Sequence, residues 1–162
     1  MTVQVGDRLP NADLMRLTNG QPEIVALAPL LSGRRVIIFA LPGAYTPTCS
    51  SAHVPSFIRV MPDLREKGID QVICLAVNDA WVMNVWGETS GATAAGITML
   101  ADPSCELTEA LGMRFDAPLR GLIARSIRYT MLVEDGTVTR LHLEEKAGVC
   151  DLTGGETMLE SL

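Results

Sequence analysis

The run Val36-Ile37-Ile38-Phe39-Ala40-Leu41, closed at once by Pro42-Gly43, constrains this chain more than any other stretch. Six apolar residues in a row with no polar alternation read as a buried strand, and Pro42 and Gly43 end it. A helix is expected to start at Thr46-Pro47, with Thr46 as N-cap and Pro47 at the first helical position, where a missing N–H costs nothing. Cys49 is then the third helical residue, in the turn where backbone N–H groups lack partners and the helix dipole favours negative charge. A thiolate is stabilised in such a place. An N-cap side chain points at the amide of the third residue, which puts the Thr46 hydroxyl beside the Cys49 sulfur. The stretch reads as a device that makes and orients a nucleophilic sulfur.

The rest of the chain arranges itself around that strand. Residues 72–77 (VICLAV) read as a second buried strand and 97–100 as a third. Asn78 or Asp79 caps a helix carrying Trp81, Met83, Val85 and Trp86, and Asp102-Pro103 opens another that stops at Gly112. A loop through Asp116, Pro118 and Gly121 follows. Residues 127–133 and 137–143 then form a hairpin turned by Asp135-Gly136, a type I′ signal. Thr153-x-x-Glu156 reads as a capping box before a terminal helix. Ahead of the first strand lie an edge segment, a turn at Thr18-Asn19-Gly20, and a short apolar helix or loop over 23–31. The Cys49 helix is expected to run to Lys67 with Gly68 as its stop, kinked at Pro55 and broken at Pro62. Alternating strands and helices, closed by a hairpin and a helix, read as α/β. The 162 residues read as one domain, 1–162. The order fits a thioredoxin-like sheet with an N-terminal addition, and other doubly wound folds as well.

Pro42-x-x-x-Thr46-x-x-Cys49 resembles the active-site motif of peroxiredoxins. The wider wording of residues 42–57, PGAYTPTCSSAHVPSF, is similar to their type II branch, the peroxiredoxin-five subfamily. Val77-Asn78-Asp79-Ala80-Trp81, Leu100-Ala101-Asp102 and Arg128-Tyr129-Thr130-Met131-Leu132-Val133-Glu134-Asp135-Gly136 extend the likeness over nearly the whole chain. The resemblance implies a thioredoxin-like fold, a central mixed β-sheet flanked by helices. It implies a thiol-dependent peroxidase that reduces hydrogen peroxide and alkyl hydroperoxides through a Cys49 sulfenic acid. It also implies catalytic Cys49, Thr46 and Arg128, an active-site loop at Pro42, a homodimer, and no metal, haem or flavin cofactor. By residue type alone Arg128 would be a solvated arginine at a hairpin start, and Arg125 is its nearest rival.

Four cysteines, at 49, 74, 105 and 150, are too widely spaced for a zinc knuckle and improbable as a disulfide framework. Cys74 reads as an inert core thiol, although some plant type II peroxiredoxins carry a second cysteine at this distance. Cys150 lies where animal members carry a resolving cysteine, about two positions early. Cys105 is expected to be exposed. Recycling of the sulfenate is expected from an external thiol, glutathione with glutaredoxin or a thioredoxin, with Cys150 and then Cys74 as internal alternatives. His53, one helical turn after Cys49, invites a Cys/His nucleophile–base reading but is taken as structural or a pocket wall; His142 is expected to be exposed. Tyr45, Trp81 and Trp86 are either dimer anchors or core aromatics.

Net charge of −6 argues against a nucleic-acid partner. No apolar run approaches the ~18 residues of a membrane span. The opening MTVQVGDRLP has neither a basic n-region nor an apolar h-region, so the cytoplasm is the expected compartment. Two other activities compete: a peroxide-sensing redox-signalling or interaction protein, and a thiol–disulfide oxidoreductase. The latter favours Cys-x-x-Cys, whereas Ala52 stands third after Cys49.

Overall fold

The computed structural model describes residues 1–146 and 148–162. Its first half runs β1 (Asp13–Thr18), β2 (Gln21–Ala26), α1 (Leu27–Leu31), β3 (Arg35–Ala40), α2 (Val54–Glu66), β4 (Gln71–Ala76) and α3 (Ala80–Ser90). The second half runs β5 (Thr98–Ala101), α4 (Glu106–Ala110), β6 (Arg114–Ala117), β7 (Leu122–Ser126), β8 (Tyr129–Glu134), β9 (Thr137–Leu143) and α5 (Gly155–Glu160).

The apolar runs dictate the layering. Side chains alternate across a strand, so Ile37 and Phe39 of β3 enter one hydrophobic cluster while Val36, Ile38 and Ala40 enter the other. β4 repeats this, with Cys74 and Ala76 on the first side and Ile73 and Leu75 on the second. Strands buried on both faces belong in the middle of a sheet. The order β2-β1-β5-β4-β3-β8-β9 puts them there, with β3, β4 and β5 parallel and the flanking strands antiparallel. The first cluster is covered by Phe57 and Leu64 of α2, Met83 of α3 and Met158 of α5; the second by Leu27 and Leu31 of α1 and Leu107 of α4. Each such side chain contributes about 1.5–3 kcal/mol on burial. The expected α/β architecture, a central mixed sheet flanked by helices, is present.

Several local expectations are corrected. Residues 23–26 are strand rather than helix or loop, because Asn19 (φ 51°) and Gly20 (φ 75°) make a two-residue hairpin turn that pairs β1 with β2. Residues 114–126 hold a two-stranded hairpin, not a loop. Pro62 does not break α2: the helix continues to Glu66 because Val60, Met61 and Leu64 around it stay buried against the sheet. It ends as expected at Gly68, φ 81°. Thr153 does not cap α5, whose N-cap is Gly154; its amide and hydroxyl donate instead to Glu144. Cys105 is buried (2% exposed), and His142 is half-buried in β9.

Candidate active site

The site forms at the carboxyl ends of β3 and β4, where an α/β sheet presents its crevice. After β3, two groups from distant elements hold the loop through Pro42 and Gly43. The Ala44 amide donates to Asn78 Oδ1 (2.9 Å), just beyond β4, and Arg125 Nη1 donates to the Pro42 carbonyl (3.3 Å). A Cβ on Gly43 would lie 2.5 Å from Arg125 Nη1, so only glycine leaves room for that guanidinium. Arg125, the rival for Arg128, is thereby occupied in clamping the loop.

The helix starts at Pro47, as the sequence predicts, and the Ser50 amide donates to the Thr46 carbonyl (3.1 Å). Its first turns are unusual. Cys49–His53 is a π-helical turn in which the Val54 amide reaches back to the Cys49 carbonyl. The wider turn absorbs Pro55, whose ring would collide with the carbonyl four residues back in a continuous α-helix. The expected kink therefore appears as a π-turn directly under Cys49. Trp86 Nε1 of α3 donates to Ser50 Oγ (3.2 Å) and fixes the turn from the side.

Thr46 is placed differently from expectation. Its hydroxyl donates to the Gly43 carbonyl (2.8 Å), and no hydrogen bond joins it to Cys49. A hydroxyl has one donor and two lone pairs, so Thr46 meets the cavity as an acceptor.

Cys49 is fully buried, and Arg128 comes to it from the residue before β8, 1% exposed rather than solvated. Arg128 Nη2 donates to Cys49 Sγ (3.3 Å), and Arg128 Nη1 donates to His53 Nδ1 (3.0 Å). A guanidinium cannot accept, so Nδ1 must carry the lone pair and Nε2 the proton, which it gives to the Thr153 carbonyl (3.0 Å). Thr130 Oγ1 donates to the same carbonyl (2.6 Å). Burial, and then the Arg128 charge, push His53 down to about 3, so the ring is neutral at physiological pH. Its Nδ1 lone pair is taken by Arg128 and not by a proton from the sulfur. His53 is thus no base for Cys49; it is the rest on which Arg128 is aimed. Residue spacing put His53 on the same side as Cys49, but nothing in the sequence gave it Arg128 as a partner.

The other cysteines differ in access. Cys74 sits beside Phe39 in the sheet, fully buried, its thiol pushed well up by burial and by the neighbouring Cys49. Cys150 is half-buried, its Sγ 3.7 Å from Thr153 Oγ1. Burial raises its thiol against the opposing pull of Thr153 and Arg128, so it lies within reach of the site's field. The Gly148 carbonyl, accepting from Thr48 Oγ1 (2.9 Å), ties that segment to the helix start. Between them opens a cavity of about 410 Å³ lined by Pro42, Thr46, Pro47 and Arg128.

The chain is similar to known proteins. Residues 4–159 match the Redoxin family. Peroxiredoxin-2E-2, chloroplastic, of Oryza sativa subsp. japonica is 43% identical over 165 residues, covering 99% of this chain and 73% of that one. Peroxiredoxin-2B of Arabidopsis thaliana is 37% identical, covering 99% and 98%. The chain is a peroxiredoxin. Among solved peroxiredoxins, reduced Prx3 of Vibrio vulnificus in complex with hydrogen peroxide superposes with a TM-score of 0.91 at 38% identity, covering 99% of both chains. Peroxiredoxin 5 of Alvinella pompejana gives 0.84 at 31%, covering 98% and 97%. The fold is accordingly thioredoxin-like, and this peroxiredoxin is a thiol-dependent peroxidase, an oxidoreductase.

Proposed function

We propose that Cys49 is the nucleophile of this peroxidase, with Arg128 and Thr46 acting on the peroxide, in one domain of residues 1–162. The carrying observation is the Arg128 guanidinium, aimed at Cys49 Sγ at 3.3 Å by a neutral His53. The anionic sulfur attacks the nearer oxygen of the hydroperoxide; a sulfur–oxygen bond forms as the O–O bond breaks. Hydroxide or alkoxide leaves and takes a proton, and Cys49 becomes a sulfenic acid. Arg128 donors stabilise charge moving onto the leaving oxygen, while Thr46 Oγ, its proton committed to Gly43, accepts from the incoming O–H. Pro42, held by Arg125, supplies the loop wall.

Recycling is assigned to an external thiol, glutathione with glutaredoxin or a thioredoxin. Cys74 is locked in β4, so a Cys49–Cys74 disulfide needs local unwinding, and the Cys150 segment is tethered through Thr153 and Gly148. Cys150 ranks second and Cys74 third as resolving residues. Placement in the type II, peroxiredoxin-five branch is supported by the wording of residues 42–57. A homodimer is supported by Tyr45 (56% exposed) and Trp81 (55% exposed), large aromatics left bare beside the site, whereas Trp86 is core. Four unpaired cysteines suit a reducing cytoplasm.

The test is one equivalent of hydrogen peroxide added to reduced protein, followed by non-reducing peptide mapping. Sulfenate confined to Cys49, becoming a mixed disulfide only when glutathione is supplied, is expected. Rapid oxidation of a Cys49→Ser protein removes the assignment, and a near-quantitative Cys49–Cys150 link without added thiol removes the external route.

A further inference from the structure

A second cavity, of about 380 Å³, opens at the amino ends of β3, β4 and β5, the end of the sheet away from Cys49. Six residues of β4 at ~3.3 Å each put about 20 Å between the two ends. Two arginines line it, one beside each helical layer. Arg34, just before β3, donates through Nη1 to the Leu30 carbonyl of α1 (3.3 Å) and to Gln71 Oε1 (3.0 Å). Gln71 Nε2 donates on to Thr98 Oγ1 (2.9 Å), so the Thr98 hydroxyl keeps its own proton to give. Arg65, in the last turn of α2, donates through Nη2 to the Ala95 carbonyl (2.9 Å), and a Cβ on Gly96 would collide with that nitrogen. Each guanidinium is thus fixed by neutral acceptors and keeps further N–H groups. Neither makes an ion pair among the described residues, although Asp70 lines the same cavity. Asp70 Oδ2 accepts from the Arg35 amide instead (2.8 Å). Two cations and one carboxylate leave a net positive lining on a chain of net charge −6.

We propose that this cavity binds a small phosphate monoester that carries hydroxyl groups, a sugar phosphate being the simplest case. Arg34 and Arg65 take the phosphate, and Asp70 accepts from a hydroxyl. A carboxylate presents one edge and satisfies one planar fork, whereas the several terminal oxygens of a phosphate can meet two forks arriving from different sides. The Thr98 hydroxyl supplies a neutral donor between them. At ~30 Å³ per water the cavity holds about a dozen waters, so a lone oxyanion leaves most of it to solvent. The body of an ester displaces that water and lays its C–H groups on Met61 and Ile69. The site stands apart from the peroxidase reading, because none of its residues lines the cavity over Cys49.

The test is isothermal titration calorimetry of the reduced protein with inorganic phosphate, glucose, and the phosphate ester of glucose at its primary hydroxyl, all at one ionic strength. The ester should bind about tenfold tighter than inorganic phosphate, the worth of one hydrogen bond to a charged group, and glucose should give no binding heat. Arg34→Gln and Arg65→Gln should each weaken both phosphates about tenfold or more, while oxidation of Cys49 by its first equivalent of hydrogen peroxide keeps the wild-type rate. Asp70→Asn, which retains an oxygen for the Arg35 amide, should bring the ester down to the level of inorganic phosphate without weakening the latter. Arg120→Gln, at the cavity over Cys49, should leave both affinities unchanged. In wild type the backbone amide resonances of Gly96 and Thr98 should shift as the ester is added, a reading that needs no variant to fold. The proposal is overturned by any of four results: no saturable binding of the ester, shifts that spare Gly96 and Thr98, an ester bound no tighter than inorganic phosphate, or binding that survives in the Arg34→Gln/Arg65→Gln double variant or is lost in Arg120→Gln.

Discussion

At the residue scale the site depends on a histidine that never needs to gain a proton. His53 has a folded-state value of about 3 against ~6.5 when unfolded, so the unfolded chain binds the extra proton as pH falls. Stability contributed by the neutral ring is therefore intact above about 6.5 and is lost progressively down to about 3, at no more than about 1.4 kcal/mol per pH unit. His53→Gln, whose amide can both accept from Arg128 and donate to the Thr153 carbonyl, should flatten that acid limb in urea titrations and keep most of the peroxide rate. His53→Leu should lose rate by a larger factor, since Arg128 is no longer aimed. Arg128→Ala should slow the first-equivalent reaction ~100-fold with little change in melting temperature, as for loss of one preorganised donor; stopped-flow kinetics at neutral pH reads both. If Arg125→Ala abolished the reaction and Arg128→Ala did not, the two arginines would have to exchange roles. The pairing of Arg128 with Cys49 and His53 could not be read from its neighbours, because those two residues stand more than seventy residues away; only the likeness to peroxiredoxins singled it out. The place of Cys49 just inside a helix start was legible from local signals, an apolar strand, Pro-Gly, then Thr-Pro, whereas its reading as the nucleophile also drew on the likeness to peroxiredoxins. Cys105 was misread because its φ of 61° turns it inward, a backbone choice that side-chain periodicity does not carry.

At the element scale the prolines and glycines set the shape. Pro55 gives the π-turn beneath Cys49, and Gly43 gives the clamp space for Arg125. Gly43→Ala should displace the Arg125 side chain and slow peroxide reduction several-fold while circular dichroism stays unchanged, because the clash falls on a movable guanidinium. Gly155→Ala is a different case: its Cβ would meet the Ser56 backbone carbonyl at 2.6 Å, where α5 crosses α2. Rigid overpacking of that kind costs about 1–3 kcal/mol, readable as a lowered melting temperature. Glu144 anchors the segment before α5 through the Leu152 and Thr153 amides. Burial works to raise its carboxyl, but those hydrogen bonds outweigh it and hold it below the usual range. The anchor is present above the ordinary carboxylate value and is lost as pH falls through the depressed one. Glu144→Gln should thus exchange the Thr153 amide hydrogen faster at neutral pH, a difference that shrinks in acid. The capping box expected at Thr153 failed for this reason: Glu144, distant in sequence, competes for the same groups.

At the scale of the whole molecule the central place of β3 and β4 follows from their being apolar on both faces, and that much was legible. The helix or loop expected over 23–31 is helix only from Leu27, because an edge strand with Ile24 exposed and Val25 buried looks in sequence like any short apolar run. Dimerisation through Tyr45 and Trp81 should appear as a dimer in equilibrium sedimentation of reduced protein and be weakened by Trp81→Arg; a monomer at micromolar concentration removes it. The hydrogen bond from Trp86 to Ser50 has an optical consequence. The chain has two indoles, one bare and one sealed against the residue next to Cys49. In a Trp81→Phe protein all tryptophan emission comes from the buried ring, so its colour reports on the turn that carries the sulfur. Oxidation that leaves this turn closed should leave the emission maximum in place, and any reductant that must pry it open should announce itself as a red shift on the timescale of its attack.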